Sequence, residues 1–332
     1  MSTNQNIQST QDTAAISFTS DIVDIDDVDD VFESNKLKKY RKYWWETGQI
    51  YSEARWEKAI LPYKIATEVP YDTYVKHTDK YNIHGWWEWN NGTVCVVKLP
   101  SIFHENCIGA IFQQISLATD GVMSTNADLF YLGATMLAKS ITNYLQQKDT
   151  KTSKTGKEAD ASWRPVSKPP VNAGGSDTTG TQPWPNLVVE IAYTEDMERV
   201  RRKVEQYWLQ PDRVHDVILI VIDKPITPVT TPSVMTAYHY CINNQDIGGF
   251  NPTMCEFGTI DLQGTPILNL QPGQRVINIQ LACLYHGVPP NVLNPPLPSP
   301  PQLPPPNPFA TIPNPIVIDL YHVRFAVLNC IV

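Results

Sequence analysis

Missing from these 332 residues is any Cys-x-x-Cys pair, although there are six cysteines: Cys95, Cys107, Cys241, Cys255, Cys283 and Cys330. That excludes a zinc ribbon and a thioredoxin-like motif. No stretch approaches the roughly 20 apolar residues of a membrane span. The polar N-terminus carries no signal-peptide core. Nor is there an excess of positive charge: 26 Lys plus Arg face 34 Asp plus Glu, a formal net charge of −8. This excludes coating of nucleic acid by bulk charge, but not a local basic groove. No repeat of fixed period is found. The expectation is an intracellular protein, cytoplasmic or nuclear, with cysteines that are mostly buried thiols in a reducing compartment.

What is present suffices for a core, with 42% hydrophobic and 10% aromatic residues, which excludes wholesale disorder. Residues 1–35 read as a disordered, acidic tail. Residues 36–64 hold a basic and aromatic helical segment, with Lys36, Lys38, Lys39, Arg41 and Lys42 beside Tyr40, Tyr43, Trp44 and Trp45. That segment is either a nucleic-acid contact with stacking aromatics or an amphipathic helix whose aromatics pack on the domain. The folded domain is expected over 65–286. Residues 287–315 form a proline-rich loop, with 13 prolines between 289 and 315. Pro295, Pro298, Pro301 and Pro304 have the spacing of a left-handed polyproline ligand. They present either a target for a polyproline-binding domain or a solvated loop. Residues 316–332 are apolar and are expected to return to the core.

Within the domain, Trp86 to Val97 reads as a hairpin around Asn91-Gly92. Ile108, Ile111, Phe112 and Ile115 recur at helical spacing, predicting a helix over 102–118. Strands are expected at 129–138 and 159–163. Leu187 to Ala192 is an apolar run, predicting a buried strand. Thr194 can cap a helix reaching about Leu209, with Glu195 and Asp196 in its first turn. Val217 to Ile222 is a second apolar strand, completing a βαβ-like crossover.

Two carboxylates lie on expected strands, Asp160 and Glu190. A buried charge is costly unless paired or bound to a cation. Carboxylates on adjacent strands can share a hard divalent cation such as magnesium. The Ile191 backbone carbonyl is a third candidate oxygen. Lys203 follows on the next helix, with Tyr207 one turn later and Arg199 one turn earlier. A metal that polarises a phosphate and a lysine that steadies the nucleophile and the developing charge amount to phosphodiester hydrolysis. The plainer alternatives are a solvated Asp160 and a salt bridge from Glu190 to Arg202 or Lys203. His239 with Cys241, and Cys283 with His286, have metal-ligand spacings, but no second Cys or His pair lies near either in sequence.

These residues resemble the PD-(D/E)xK nuclease superfamily, and within it the Uma-type restriction endonuclease family. The likeness runs from about Trp86 to Asp223. It rests on the Trp-rich hairpin, Leu99-Pro100-Ser101 with His104-Glu105, the Asp160 strand, Trp184 to Glu190, and Lys203-x-x-x-Tyr207. It implies an α/β (α+β) fold: a restriction-endonuclease-like αβββαβ core at 86–223 with a mixed central sheet and N- and C-terminal extensions. It further implies Asp160 and Glu190 as ligands of magnesium or manganese, Lys203 orienting the attacking water, and DNA as substrate. Glu105 stands where some members carry another acidic ligand, and restriction-type nucleases often cut as homodimers. The common Lys two residues after the second acid is replaced by Ala192; in the Uma-type family the cation sits on the next helix. A catalytically inactive module of the same fold, binding nucleic acid or protein, is the alternative.

Overall fold

The structure is a computed structural model. It describes residues 35–48, 61–81, 83, 85–99, 101–119, 129–131, 136–139, 155–176, 180–193, 195–223, 231–246, 249–293 and 312–330. The acidic segment 1–34 and the Pro-x-x-Pro run 295–304 lie outside the described residues.

The chain begins with α1 (Asn35–Thr47), β1 (Tyr63–Ala66), α2 (Tyr71–Tyr81), β2 (Trp87–Asn90), β3 (Thr93–Val96) and α3 (Ile102–Ala118). The hairpin turn needs left-handed backbone at both central residues, and Asn91 and Gly92 supply it with φ of 47° and 86°. Ser101 caps α3, its hydroxyl accepting from the His104 amide at 3.1 Å. Then come β4 (Leu129–Tyr131), β5 (Met136–Lys139), β6 (Thr155–Glu158), β7 (Ala161–Pro165), β8 (Leu187–Ala192), α4 (Met197–Lys203) and β9 (Asp216–Ile222). Next are β10 (Met235–Cys241), β11 (Gln245–Asp246), β12 (Gly249–Phe250), β13 (Thr253–Glu256) and β14 (Val276–Ile279). The last elements are α5 (Leu281–Leu284), α6 (Pro290–Leu293), β15 (Ile316–Asp319) and α7 (Leu320–Leu328).

Two larger sheets result. One has five antiparallel strands in the order β1-β3-β2-β6-β5. The other has six in the order β13-β10-β9-β8-β7-β4 and is mixed, because β8 runs parallel to β9 while the remaining neighbours are antiparallel. The architecture is thus mixed α/β. No helix among the described residues is long and apolar enough to cross a membrane.

Alternation along β8 and β9 sorts the layers of the six-stranded sheet. Val189, Ile191, Ile218 and Ile220 join one core with Phe103, Cys107 and Ile111 of α3 and Val323 of α7. Val188, Ala192, Val217 and Leu219 join another with Val200, Val204 and Trp208. The sheet is therefore covered on both faces, which is why β8 and β9 read as continuous apolar runs. β15 pairs with β14 beside the first core, burying Ile316 and Ile318. A third core holds Trp44 of α1 with Tyr74, Trp87 and Trp89. Trp44 and Trp45 of α1 thus pack inward: Trp45 stacks on His77 with ring centroids 3.9 Å apart.

Several boundaries differ from expectation. The strand expected at 129–138 is two strands in different sheets, β4 and β5. The strand expected from Ala159 begins at Ala161, leaving Asp160 just before it. The helix expected from Thr194 to Leu209 is capped instead by Asp196, whose carboxylate accepts from the Arg199 amide at 2.9 Å. After Lys203 it changes to a π-helical turn, Val204–Trp208. This widening brings Tyr207 and Trp208 together into one core.

Candidate functional site

Glu190 is the charged member of a fully buried strand and is itself 0% exposed. It faces the α4 side, in alternation with Val188 and Ala192. Lys203, the last residue of α4, reaches down to it. Its ammonium stands 2.9 Å from Glu190 Oε1 and donates to the Glu158 carbonyl at 2.6 Å. The Trp208 indole N–H donates to Glu190 Oε1 at 2.6 Å. The π-helical turn is what delivers that indole.

Asp160 lies just before β7, one residue ahead of the Ala161–Val189 pair. It is buried, yet its partners come from elsewhere. Lys98, just past β3, donates to Asp160 Oδ1. His104 Nε2 on α3 is 3.2 Å from the same oxygen. The Ile191 amide donates to Oδ2 at 2.7 Å. Lys98 and Lys203 therefore take one acid each. The two carboxylates share no donor, and Asp160 meets the first turn of α3 while Glu190 meets α4.

The electrostatics follow from this pairing. Burial works against the Asp160 anion, but Lys98 and His104 outweigh it and hold its carboxyl far below the ordinary range. Burial lowers the His104 imidazolium, but Asp160 and a bond to Glu105 outweigh it, giving a rise to about 9. Lys98 is raised as well, Asp160 overcoming burial. For Glu190 burial wins: its carboxyl is pushed up to about 7, with Lys203 offsetting only part of the cost.

The remaining expected residues sit around this cluster. Arg199 does not reach Glu190; it pairs with Glu88 Oε2 of β2 at 2.6 Å and Glu195 Oε1 at 2.9 Å. Glu105 turns outward with a side chain 60% exposed, held by His104 Nδ1 at 2.9 Å. It is thus linked to Asp160 through the imidazole. Tyr207 is buried against Trp184 and under the Arg213 guanidinium, 4.9 Å from its ring centre. Burial raises its phenol beyond the usual range. Of the expected group, Glu190 and Lys203 touch and Asp160 adjoins them. Arg199, Glu105 and Tyr207 flank the centre.

No family model matches this chain, and no curated protein does.

Three contributors escaped the sequence reading. Lys98 is a single charge ending an apolar strand, Val94 to Val97, and that placement was the available signal. Trp208 carried none, because its role depends on the π-helical turn. In the sequence Glu195 signals only a first-turn residue favoured by the helix dipole. Its side chain is 1% exposed, and its Oε2 is buried without a hydrogen-bond partner. Its charge acts on both Lys98 and Glu190.

Proposed function

We propose that this protein is a metal-dependent nuclease that hydrolyses DNA phosphodiester bonds at the Asp160–Glu190–Lys203 centre. One observation carries the reading: Lys203 meets Glu190 at 2.9 Å while Asp160, just ahead of β7, accepts from the amide of Ile191, the next residue of β8, at 2.7 Å. The strand path supports it. Helix α3, strands β4, β7 and β8, helix α4 and strand β9 occur in the order αβββαβ, interrupted between β4 and β7 by β5 and β6, which join the other sheet; β4-β7-β8-β9 are adjacent in the mixed sheet. Asp160 then stands at the head of the second of these strands and Glu190 on the third, as the resemblance to the PD-(D/E)xK fold implies.

Carboxylates from Asp160, Glu190 and Glu195 are the donor type a hard divalent cation such as magnesium or manganese takes. Among the described residues their oxygens are not gathered within 4.8 Å of one another, so an ion would have to draw them together; the buried Glu195 Oε2, without a hydrogen-bond partner, is an acceptor open to it. Asp160, Glu190 and the Ile191 carbonyl would hold it. When bound, such an ion polarises the phosphate and lowers the pKa of a water. The protein's own groups do the rest. Lys203 holds Glu190 in place and supplies positive charge where negative charge develops. Glu190 must first give up the proton that burial favours, so cleavage should rise with pH through about 7. Lys98 must release Asp160 before that carboxylate can serve.

The test is plasmid cleavage with and without magnesium or manganese. Asp160→Ala and Glu190→Ala should each abolish it, and cleavage persisting in both variants would overturn the reading. A second reading, a catalytically silent module of the same fold, is favoured by one feature. Lys98 and Lys203 already neutralise the two acids, at 3% and 4% exposure. Calorimetric titration with magnesium and manganese separates the two, since the silent module takes up neither ion. A homodimer and a polyproline-binding partner belong to the same proposal. Equilibrium sedimentation, and pull-down with residues 291–312 deleted, test them.

A further inference from the structure

A second group of ligand-type side chains lies at the other end of the mixed sheet. Asp216 opens β9 and Cys241 closes β10, and the two are direct cross-strand partners. Cys283 arrives from α5. The carboxylate oxygen and two sulfurs of Asp216, Cys241 and Cys283 all lie within 4.8 Å of one another. Asp216 pairs with Leu187, three residues before Glu190 on β8. Its position in the alternation shares the face of Ile218, which packs with α3, whereas Glu190 faces α4. The group is therefore separate from the acid–lysine centre in both end and face.

We propose that Asp216, Cys241 and Cys283 bind one thiophilic divalent cation of the zinc class, with water in the fourth position. Tetrahedral zinc with Zn–S of about 2.3 Å sets an S···S edge of about 3.8 Å. The Cys241 and Cys283 sulfurs stand 3.7 Å apart. Two thiolates select a zinc-like ion over magnesium or calcium. The Asp216 side chain is 2% exposed, and its Oδ2 is buried without a hydrogen-bond partner. A buried carboxylate oxygen so placed is costly unless a ligand satisfies it. Its other oxygen, Oδ1, is held by His239 Nε2 at 2.8 Å. That is the outer-shell arrangement that orients a ligating group.

The third ligand is positioned in advance. Asn186, 0% exposed, donates its side-chain amide to the carbonyls of Cys283, Leu284 and His286 at 3.3, 2.8 and 2.9 Å. Its own Oδ1 accepts from Lys168 at 2.5 Å. The Asn243 amide reaches the Cys283 sulfur at 3.6 Å. An ion here would tie the paired strands β9 and β10 to α5, whose Cys283 lies 42 residues beyond Cys241. The sequence does not announce the site because 42 residues separate Cys241 from Cys283, and each has a nearer His beside it.

The experiment is cobalt(II) titration of the purified, reduced full chain, read by thiolate-to-cobalt charge transfer and the visible bands of tetrahedral cobalt. One equivalent should bind and be displaced by zinc. Cys241→Ser and Cys283→Ser should each lose the spectrum, and His239→Ala should weaken binding about 10- to 100-fold. A check without variants is alkylation of the native chain by iodoacetamide: zinc should protect the partly exposed Cys241 and leave partly exposed Cys95, Cys255 and Cys330 unaffected. No cobalt spectrum in the reduced chain, an unchanged spectrum in the serine variants, or no protection by zinc would each overturn the proposal.

Discussion

At the level of single residues, the centre is a set of charges that must balance inside protein. Glu190 illustrates the sign. Its folded pKa, pushed up to about 7 from 4.5, means the folded chain holds a proton that the unfolded chain releases between those values. Its contribution is fully present below pH 4.5 and declines as pH rises through 7. His104, raised from 6.5 to about 9, acts in the same direction over its own window. Urea midpoints should therefore fall between pH 5 and pH 8, and Glu190→Gln should flatten that slope. Lys203→Met tests the pairing itself. Removing one member of a buried ion pair costs about 3–5 kcal/mol. The loss, measured by urea denaturation, should be large at pH 8 and smaller at pH 5, where Glu190 is protonated.

At the level of elements, positions were set by packing that the sequence states unevenly. β8 and α3 were legible because their apolar patterns are strong and their caps local: 187–192 and 102–118 are the bounds found. The break in the 197–208 helix was not, since a π-helical turn follows from where Tyr207 and Trp208 must pack rather than from helix propensity. Glu190 and Lys203 could be paired from spacing because they sit on consecutive elements. Lys98 could not, because 62 residues separate it from Asp160 and a different sheet supplies it. Asn186 belongs at this scale too. It ties the start of β8 to α5 through three side-chain hydrogen bonds. Asn186→Ala should cost about 2–4 kcal/mol at roughly 1 kcal/mol per bond. Hydrogen exchange should show faster opening of 281–286 and little change in α3.

At the level of the whole molecule, the two sheets meet through charged side chains. Arg199 of α4 bonds Glu88 of β2 at 2.6 Å, with side chains 20% and 16% exposed. Lys157 approaches the same carboxylate at 3.8 Å. Burial raises Glu88, but Lys157 and Arg199 outweigh it and keep its carboxyl below the ordinary value. A double-mutant cycle with Glu88→Gln and Arg199→Gln should give a coupling of about 0.5–3 kcal/mol. Single-variant losses that simply add would show that this ion pair does not couple the two sheets.

The ammonium that quiets Asp160 is contributed by the five-stranded sheet. Asp160 and Lys98 therefore meet only where the two sheets lie against each other. Any opening that parts the sheets uncovers a bare carboxylate and a bare ammonium at once, each keeping its charge.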